Sequence, residues 1–171
     1  MFKNKEILIY IDSNYTHIYF KNQNRTIIEK NNNIIKNSEI VNVEKTLKHL
    51  LEIDKKYNIY NGYLKPNLTV LYNDLVSCDI IYLYKEVLQD FNYKNIDFIK
   101  LSDLIKNIKN SDRILLYDNN CYISFSLCKT FNQLNNLPFE PIIIGSKDSK
   151  FKYYSDKFFI WNSFLRYFTK N

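Results

Sequence analysis

The 171-residue chain predicts an α/β fold, with a mixed sheet and helices over residues 1–110 and an incomplete second copy of the opening β-meander over residues 111–171. Three observations carry this. The opening residues hold short apolar runs separated by polar turns; strand-like runs then alternate with amphipathic helices; and the opening pattern restarts at Arg113. Strands that alternate with helices pair in parallel, because each crossover returns the chain to the same end of the sheet, whereas short turns make antiparallel pairs.

The elements follow in order. Glu6 to Asp12 (EILIYID) is almost continuously apolar, as a strand buried on both faces would be. Ser13-Asn14 makes a turn into Thr16 to Lys21 (THIYFK). Asn22-Gln23-Asn24 then leads into Arg25 to Lys30 (RTIIEK), completing a meander whose Asn-rich turns suit a residue that tolerates the left-handed conformation. A helix spans Val43 to Tyr57, with Asn42 as N-cap and Val43, Leu47, Leu50, Leu51 and Tyr57 near one face. Gly62 and Pro66 punctuate the loop before the strand Asn67 to Tyr72. Ser77 or Asp79 caps a second helix, whose Ile80, Tyr84, Val87, Leu88 and Phe91 recur at helical spacing. A strand over Ile96 to Leu101 precedes a short helix capped by Ser102 and running to Lys109.

The resulting order, βββαβαβα, is the ribonuclease-H-like arrangement. Arg113 to Asp118 (RILLYD) then echoes Ile7 to Asp12 (ILIYID), and each is followed by a polar turn and another strand, a repeat that marks a duplicated sheet unit. After the apolar run Pro141 to Ile144 the second copy gives way to a polar stretch and an aromatic tail, which leaves a sheet edge open.

Composition narrows the chemistry. Only Gly62 and Gly145 are glycine, so the chain has little material for loops in which backbone amides approach a phosphate closely. The net charge of +6 comes from scattered basic residues without a tract, which reads as solvated surface rather than a nucleic-acid patch; Lys, Asn, Ile and Tyr are inflated together, as an A/T-rich coding sequence produces. Cys78, Cys121 and Cys128 lack CxxC spacing and read as small buried hydrophobes in a reducing compartment. His17 and His49 are too far apart in sequence to suggest a metal site. The start, MFKNKEILIYID, reads as a first strand rather than a signal peptide, and no run is long enough to span a bilayer.

From Glu6 to Leu127 the chain resembles the actin-like superfamily, with the bacterial cytoskeletal protein MreB as the nearest pattern. YIDSNYTHIYFKNQNRTIIEKNNNII resembles the family's first strand, phosphate loop and hairpins, and LKPNLTVLYNDLVSCDIIYLYKEVLQDFNYKNIDFIKLSD its central strand–helix–strand segment. RILLYDNNCYISFSL stands where the family has its second phosphate loop. Where the family carries Asp-x-Gly and a small hydroxylated residue, this chain has Asp12, Ser13, Asn14 and Tyr15. Where it carries Asp-x-Gly-Gly/Thr, this chain has Asp118, Asn119, Asn120 and Cys121. These loops are degenerate: Asp12 and Asp118 read as relics that cap tight turns, and no nucleotide, metal or other cofactor is expected.

A nucleotide-free domain of this kind is similar to the cytoplasmic part of the inner-membrane L protein of type II secretion (GspL) and to PilM of type IV pili; DNA-uptake systems have related platforms. That resemblance implies a non-catalytic scaffold at the inner face of the cytoplasmic membrane, docking an assembly ATPase or inner-membrane subunits. A homodimer is compatible with it, and nucleic acid is not its expected partner. The candidate interaction residues are Phe158, Phe159, Trp161, Phe164, Arg166, Tyr167 and Phe168 in the tail KFFIWNSFLRYFTKN. Aromatics mixed with basic residues suit a membrane interface, but the same segment could pack its aromatic face on the sheet. Two other readings stay open. One is a nucleotide-binding MreB-like cytoskeletal protein. The other is a metal-dependent ribonuclease-H-like nuclease using Asp12, Asp74 and Asp103 or Asp112.

Overall fold

The computed structural model describes residues 6–23, 25–36, 39–59, 65–72, 79–105, 111–118, 121–124, 126–127, 129–133, 135, 137–139, 141–145 and 158–160, with backbone alone for residues 36, 104–105, 111, 118, 142, 144–145 and 158–160. Strands β1 (Glu6–Ile11), β2 (Tyr15–Phe20) and β3 (Arg25–Lys30) form the opening meander, and a small hairpin pairs β4 (Ile35–Lys36) with β5 (Glu39–Ile40). Helix α1 (Val43–Tyr57) leads to β6 (Asn67–Tyr72), α2 (Asp79–Leu88) to β7 (Asn95–Lys100), and α3 (Leu101–Ile105) follows directly. The first sheet runs β3-β2-β1-β6-β7, antiparallel within the meander and parallel from β1 through β6 to β7. This is the ribonuclease-H-like order expected from the alternation.

The apolar periodicity explains which face is covered. Ile7, Ile9, Ile18, Leu68 and Val70 share one face of the sheet, since paired residues of neighbouring strands point the same way. They pack with Leu50 and Ile53 of α1 and Ile80, Tyr84, Val87 and Leu88 of α2 into one core. The opposite face is also covered at its centre, where Tyr10, Tyr19 and Leu71 are buried. Burial on both faces is the reason β1 reads as a continuous apolar run rather than an alternating one.

Asn42 caps α1 as expected: its side chain accepts a hydrogen bond from the Lys45 amide at 2.8 Å. At the other end Asn58 adopts the left-handed conformation, φ 54° and ψ 50°, and its N–H bonds the Asp54 carbonyl. The buried face of α1 matches the expected one only in part: Leu50 is buried and Val43, Leu47 and Tyr57 pack half-buried against the core. Thr46, His49, Leu50 and Ile53 are buried, while Leu51 is exposed, because the face turned to the sheet lies one position round from the purely apolar row. Ser102 lies inside α3 rather than capping it, since the helix starts at Leu101 with no intervening residue. Residues 77 and 78 and the expected extension of α3 to Lys109 lie outside the described residues.

Residues 114–160 build a second sheet from β8 (Ile114–Asp118), β9 (Cys121–Ser124), β10 (Lys129–Phe131), β11 (Ile142–Gly145) and β12 (Phe158–Ile160). Its order is β10-β9-β8-β11-β12, with an antiparallel meander and two parallel strands. The duplication is therefore complete in strand order. It is incomplete in helices: among the described residues the connection from β10 to β11 contains none. One expectation needs correction. The sheet does not run out after Ile144, because Phe158–Ile160 pairs in parallel with β11 and occupies the edge that would otherwise be open. A three-residue strand carries too little periodicity to stand out from an aromatic-rich tail. Among the described residues no helix is long and apolar enough to cross a membrane.

Candidate functional site

The β1–β2 turn is built around Asp12, which is only 3% exposed. The Asp12 amide donates to the Tyr15 carbonyl at 2.9 Å, which leaves Ser13-Asn14 as a two-residue loop. Among described non-glycine residues only Asn33 and Asn58 have positive φ, so this turn does not use the left-handed tolerance of Asn14. It is closed by the aspartate instead. Asp12 Oδ1 accepts from the Asn14 amide at 2.8 Å and the Tyr15 amide at 2.6 Å. Asp12 Oδ2 lies 2.8 Å from His17 Nε2, and both side chains are buried. The rings of Tyr10 and Tyr15 flank that imidazole, with centroids 5.9 and 6.3 Å away.

A second set of bonds ties the turn to β3 and α1. Asn31, just after β3, donates through Nδ2 to the Asp12 carbonyl at 2.7 Å, and its amide donates to the Asn14 carbonyl at 2.7 Å. Thr16 Oγ1 donates to Asn31 Oδ1 at 2.5 Å and lies 3.1 Å from His49 Nε2 on α1. An amide oxygen only accepts, so the Thr16 proton is committed to Asn31 and the Thr16 oxygen accepts from His49 Nε2–H. The bonds thus run in one direction, from α1 through Thr16 and Asn31 to the Asp12 backbone. Thr16, His17, Asn31 and His49 are all buried, and buried polar groups persist when bonded in this way.

Burial pushes the His49 ring below its ordinary pKa, while Glu52 and Glu29 pull it partly back. Glu29 is held below the ordinary carboxylate value by hydrogen bonds from Lys56 and Tyr57. Those bonds also fasten the last turn of α1 to β3.

Chemically, a loop that cradles a phosphate directs its backbone amides outward to the anion. Here the amides of Asn14 and Tyr15 are turned onto the carboxylate of their own loop. That carboxylate is in turn engaged by His17.

The second hairpin has the same loop length. Asp118 pairs with Cys121, so two residues separate the paired strand ends, as in the first. Asn119, Asn120 and the Asp118 side chain lie outside the described residues. Cys121 Sγ is 3.5 Å from Asn132 Oδ1.

Of the nuclease carboxylates, Asp12 is buried, Asp103 and Asp112 are exposed, and Asp74 lies outside the described residues. Among the described residues no group of three or more His, Cys, Asp or Glu could hold a metal ion. In the tail, the backbone of Phe158 and Phe159 belongs to β12. Trp161, Phe164, Arg166, Tyr167 and Phe168 lie outside the described residues.

The sequence reading missed Thr16, His17, Asn31 and His49. For His17 a signal existed: across a two-residue turn, position 12 faces 15 and position 10 faces 17, so Asp12 and His17 share a face. For His49 and Asn31 no local signal existed, since only packing of α1 on the meander brings them to Thr16.

No family model matches the chain, and no curated protein sequence matches it. Solved structures do. MreB5 of Spiroplasma citri bound to ADP superimposes with a TM-score of 0.51 at 9% identity, covering 70% of this chain and 47% of that one. The fold is actin-like. The same MreB5 bound to AMPPNP gives a TM-score of 0.52 at 10% identity over 71% of this chain and 48% of that one. The ethanolamine utilization protein EutJ of Carboxydothermus hydrogenoformans gives 0.51 at 6% identity over 71% and 47%. The chain spans about half the length of these structures.

Proposed function

We propose that this chain is a non-catalytic actin-like docking domain serving a membrane-associated assembly machine of the type II secretion, type IV pilus or DNA-uptake class. Its partners in this reading are an assembly ATPase or inner-membrane subunits, met on the cytoplasmic side through the aromatic segment from Phe158 to Phe168. The observation that carries the non-catalytic part is the closure of the Asp12 carboxylate on the amides of Asn14 and Tyr15. To receive a phosphate, the loop would have to break both bonds and the contact with His17, with no glycine to ease the rearrangement.

Thermal unfolding with and without millimolar ATP or GTP and magnesium tests this. The midpoint is expected to stay where it is, because a ligand of the native state must raise stability by mass action. Two of the similar structures hold ADP or AMPPNP, which keeps the nucleotide-binding reading as the alternative. A clear upward shift would favour that alternative over docking. The partner half is checked by co-purification from the source cells with and without residues 161–171, a deletion that keeps β12; loss of a membrane-assembly component on deletion is the expected result.

A further inference from the structure

We propose that the outer edge of β7 takes up an extended, acidic segment of a partner protein as a further strand of the first sheet. Carboxylates of that segment pair with Lys85 and Lys100, and an apolar side chain between them rests on Tyr82 and Phe98. The edge belongs to the first sheet, so its occupancy does not depend on any role of the aromatic segment from Phe158 to Phe168. β7 ends the order β3-β2-β1-β6-β7, and among the described residues it pairs only with β6, over its whole length from Asn95 to Lys100. In a parallel pair every second residue directs its N–H and C=O to the neighbouring strand, and the others point away. β7 therefore turns a row of backbone donors and acceptors outward, which is the template an added strand uses.

The side chains around this edge select the occupant. Phe98 stands in register with Val70 and Ile9, so Ile96, Phe98 and Lys100 face the helices while Asp97 faces away. On α2, Ile81, Lys85 and Leu88 share the flank turned to β7, and the Lys85 ammonium lies 5.8 Å from the Phe98 ring. It is equally 5.8 Å from the ring of Tyr82, which is 70% exposed. Asp79 and Glu86, seven positions apart, occupy the other flank of α2. The helix side of the edge thus carries two exposed ammonium groups beside an exposed Tyr82 and a half-buried Phe98, with the carboxylates turned elsewhere. Among the described residues no salt bridge engages Lys85 or Lys100. Residues on one face of an added strand recur about every 6.8 Å, so one reaches the two rings while its neighbours on that face reach the lysines. A second copy of the chain is a poorer occupant. Two β7 edges joined about a two-fold axis keep all helices on one side of the combined sheet, which gathers the lysines of both copies there and leaves both Asp97 side chains on the far side.

The probe is the synthetic peptide Thr-Glu-Thr-Phe-Thr-Glu-Thr, which reads the same in both directions and so suits either strand polarity. Its titration into the full chain is followed by NMR of the backbone amides. Saturable shifts centred on Asn95 to Lys100, with slowed hydrogen exchange there, are the expected result. The same peptide with lysine in place of glutamate should bind at least about threefold more weakly, and so should the acidic peptide to the double variant Lys85→Gln/Lys100→Gln, since two exposed charge pairs are lost. The acidic peptide N-methylated at phenylalanine and at the threonine after it presents a blocked amide to the edge in either register, and should lose the β7 shifts. Absence of β7 shifts with the acidic peptide overturns the proposal. Equal binding of the lysine peptide overturns it too, and this arm stands if the double variant fails to fold. Undiminished binding of the N-methylated peptide would mean adhesion of side chains without strand pairing, and shifts of the β7 amides on concentrating the chain alone would assign the edge to a second copy; either result sinks the partner strand.

Discussion

Asp12 closes the β1–β2 turn, and its two oxygens are spent inside the protein. A carboxylate that accepts two amides and an imidazole while almost fully buried is stabilised by charge-assisted bonds that roughly offset its desolvation. Asp12→Asn keeps an acceptor for the amides but loses the charge opposite His17; it is expected to cost roughly 1–3 kcal/mol, measured by urea unfolding. A second residue-scale expectation concerns pH. The native pKa of His49 is lowered, so between that value and 6.5 the unfolded chain binds more protons than the native one. Stability therefore rises with pH through that window and is complete above about 6.5. For Glu29, also lowered, the contribution is present above 4.5 and is lost as pH falls through its native value. Denaturant midpoints across the acid range should follow this slope, and His49→Gln should remove the part just below 6.5.

At the scale of elements, α1 was legible almost to the residue, because its two ends carry their own chemistry. Asn42 binds a free amide of the first turn, and Asn58 takes the left-handed position after the last. Asn42→Ala should cost about 1 kcal/mol. Asn58→Gly should be neutral or slightly stabilising, since glycine enters that conformation without a steric penalty; both are read as shifts in thermal midpoint. The strands of the first sheet were equally legible, to within a residue at their ends. The buried face of α1 was legible only in part. Leu51 completes an apolar row and is exposed, while Thr46 and His49 are buried because each finds a hydrogen-bond partner, in Asn42 and Thr16. Sequence patterning ranks residues by polarity and cannot see a partner supplied by another element.

At the scale of the molecule, one strand order occurs twice, with matched two-residue loops after Asp12 and Asp118. In the second sheet β11 lies between β8 and β12, and its Ile143 is fully buried. Deleting residues 158–171 would turn β11 into an edge, and exposed apolar edges pair with other chains. The truncated protein is expected to aggregate or to lose cooperative unfolding, as checked by light scattering and thermal melts. Trp161→Ala separates two roles for the tail. A loss of roughly 3–5 kcal/mol would mean it packs as core. Intact folding with weakened binding to liposomes or a membrane-assembly partner is the result the docking reading expects, and unchanged folding with unchanged binding would remove the tail from that reading.

The sequence by itself determined the strand–helix order, the duplication and the N-cap of α1, because these depend on periodicity and on turn chemistry within a few residues. The scarcity of glycine was legible there too. Only the tertiary structure decided that His49, thirty-three positions from Thr16, meets it through α1, and that a short strand near the C-terminus pairs with β11. Both are contacts between distant segments, whose loop-closure cost is repaid by burial and pairing that no local window contains.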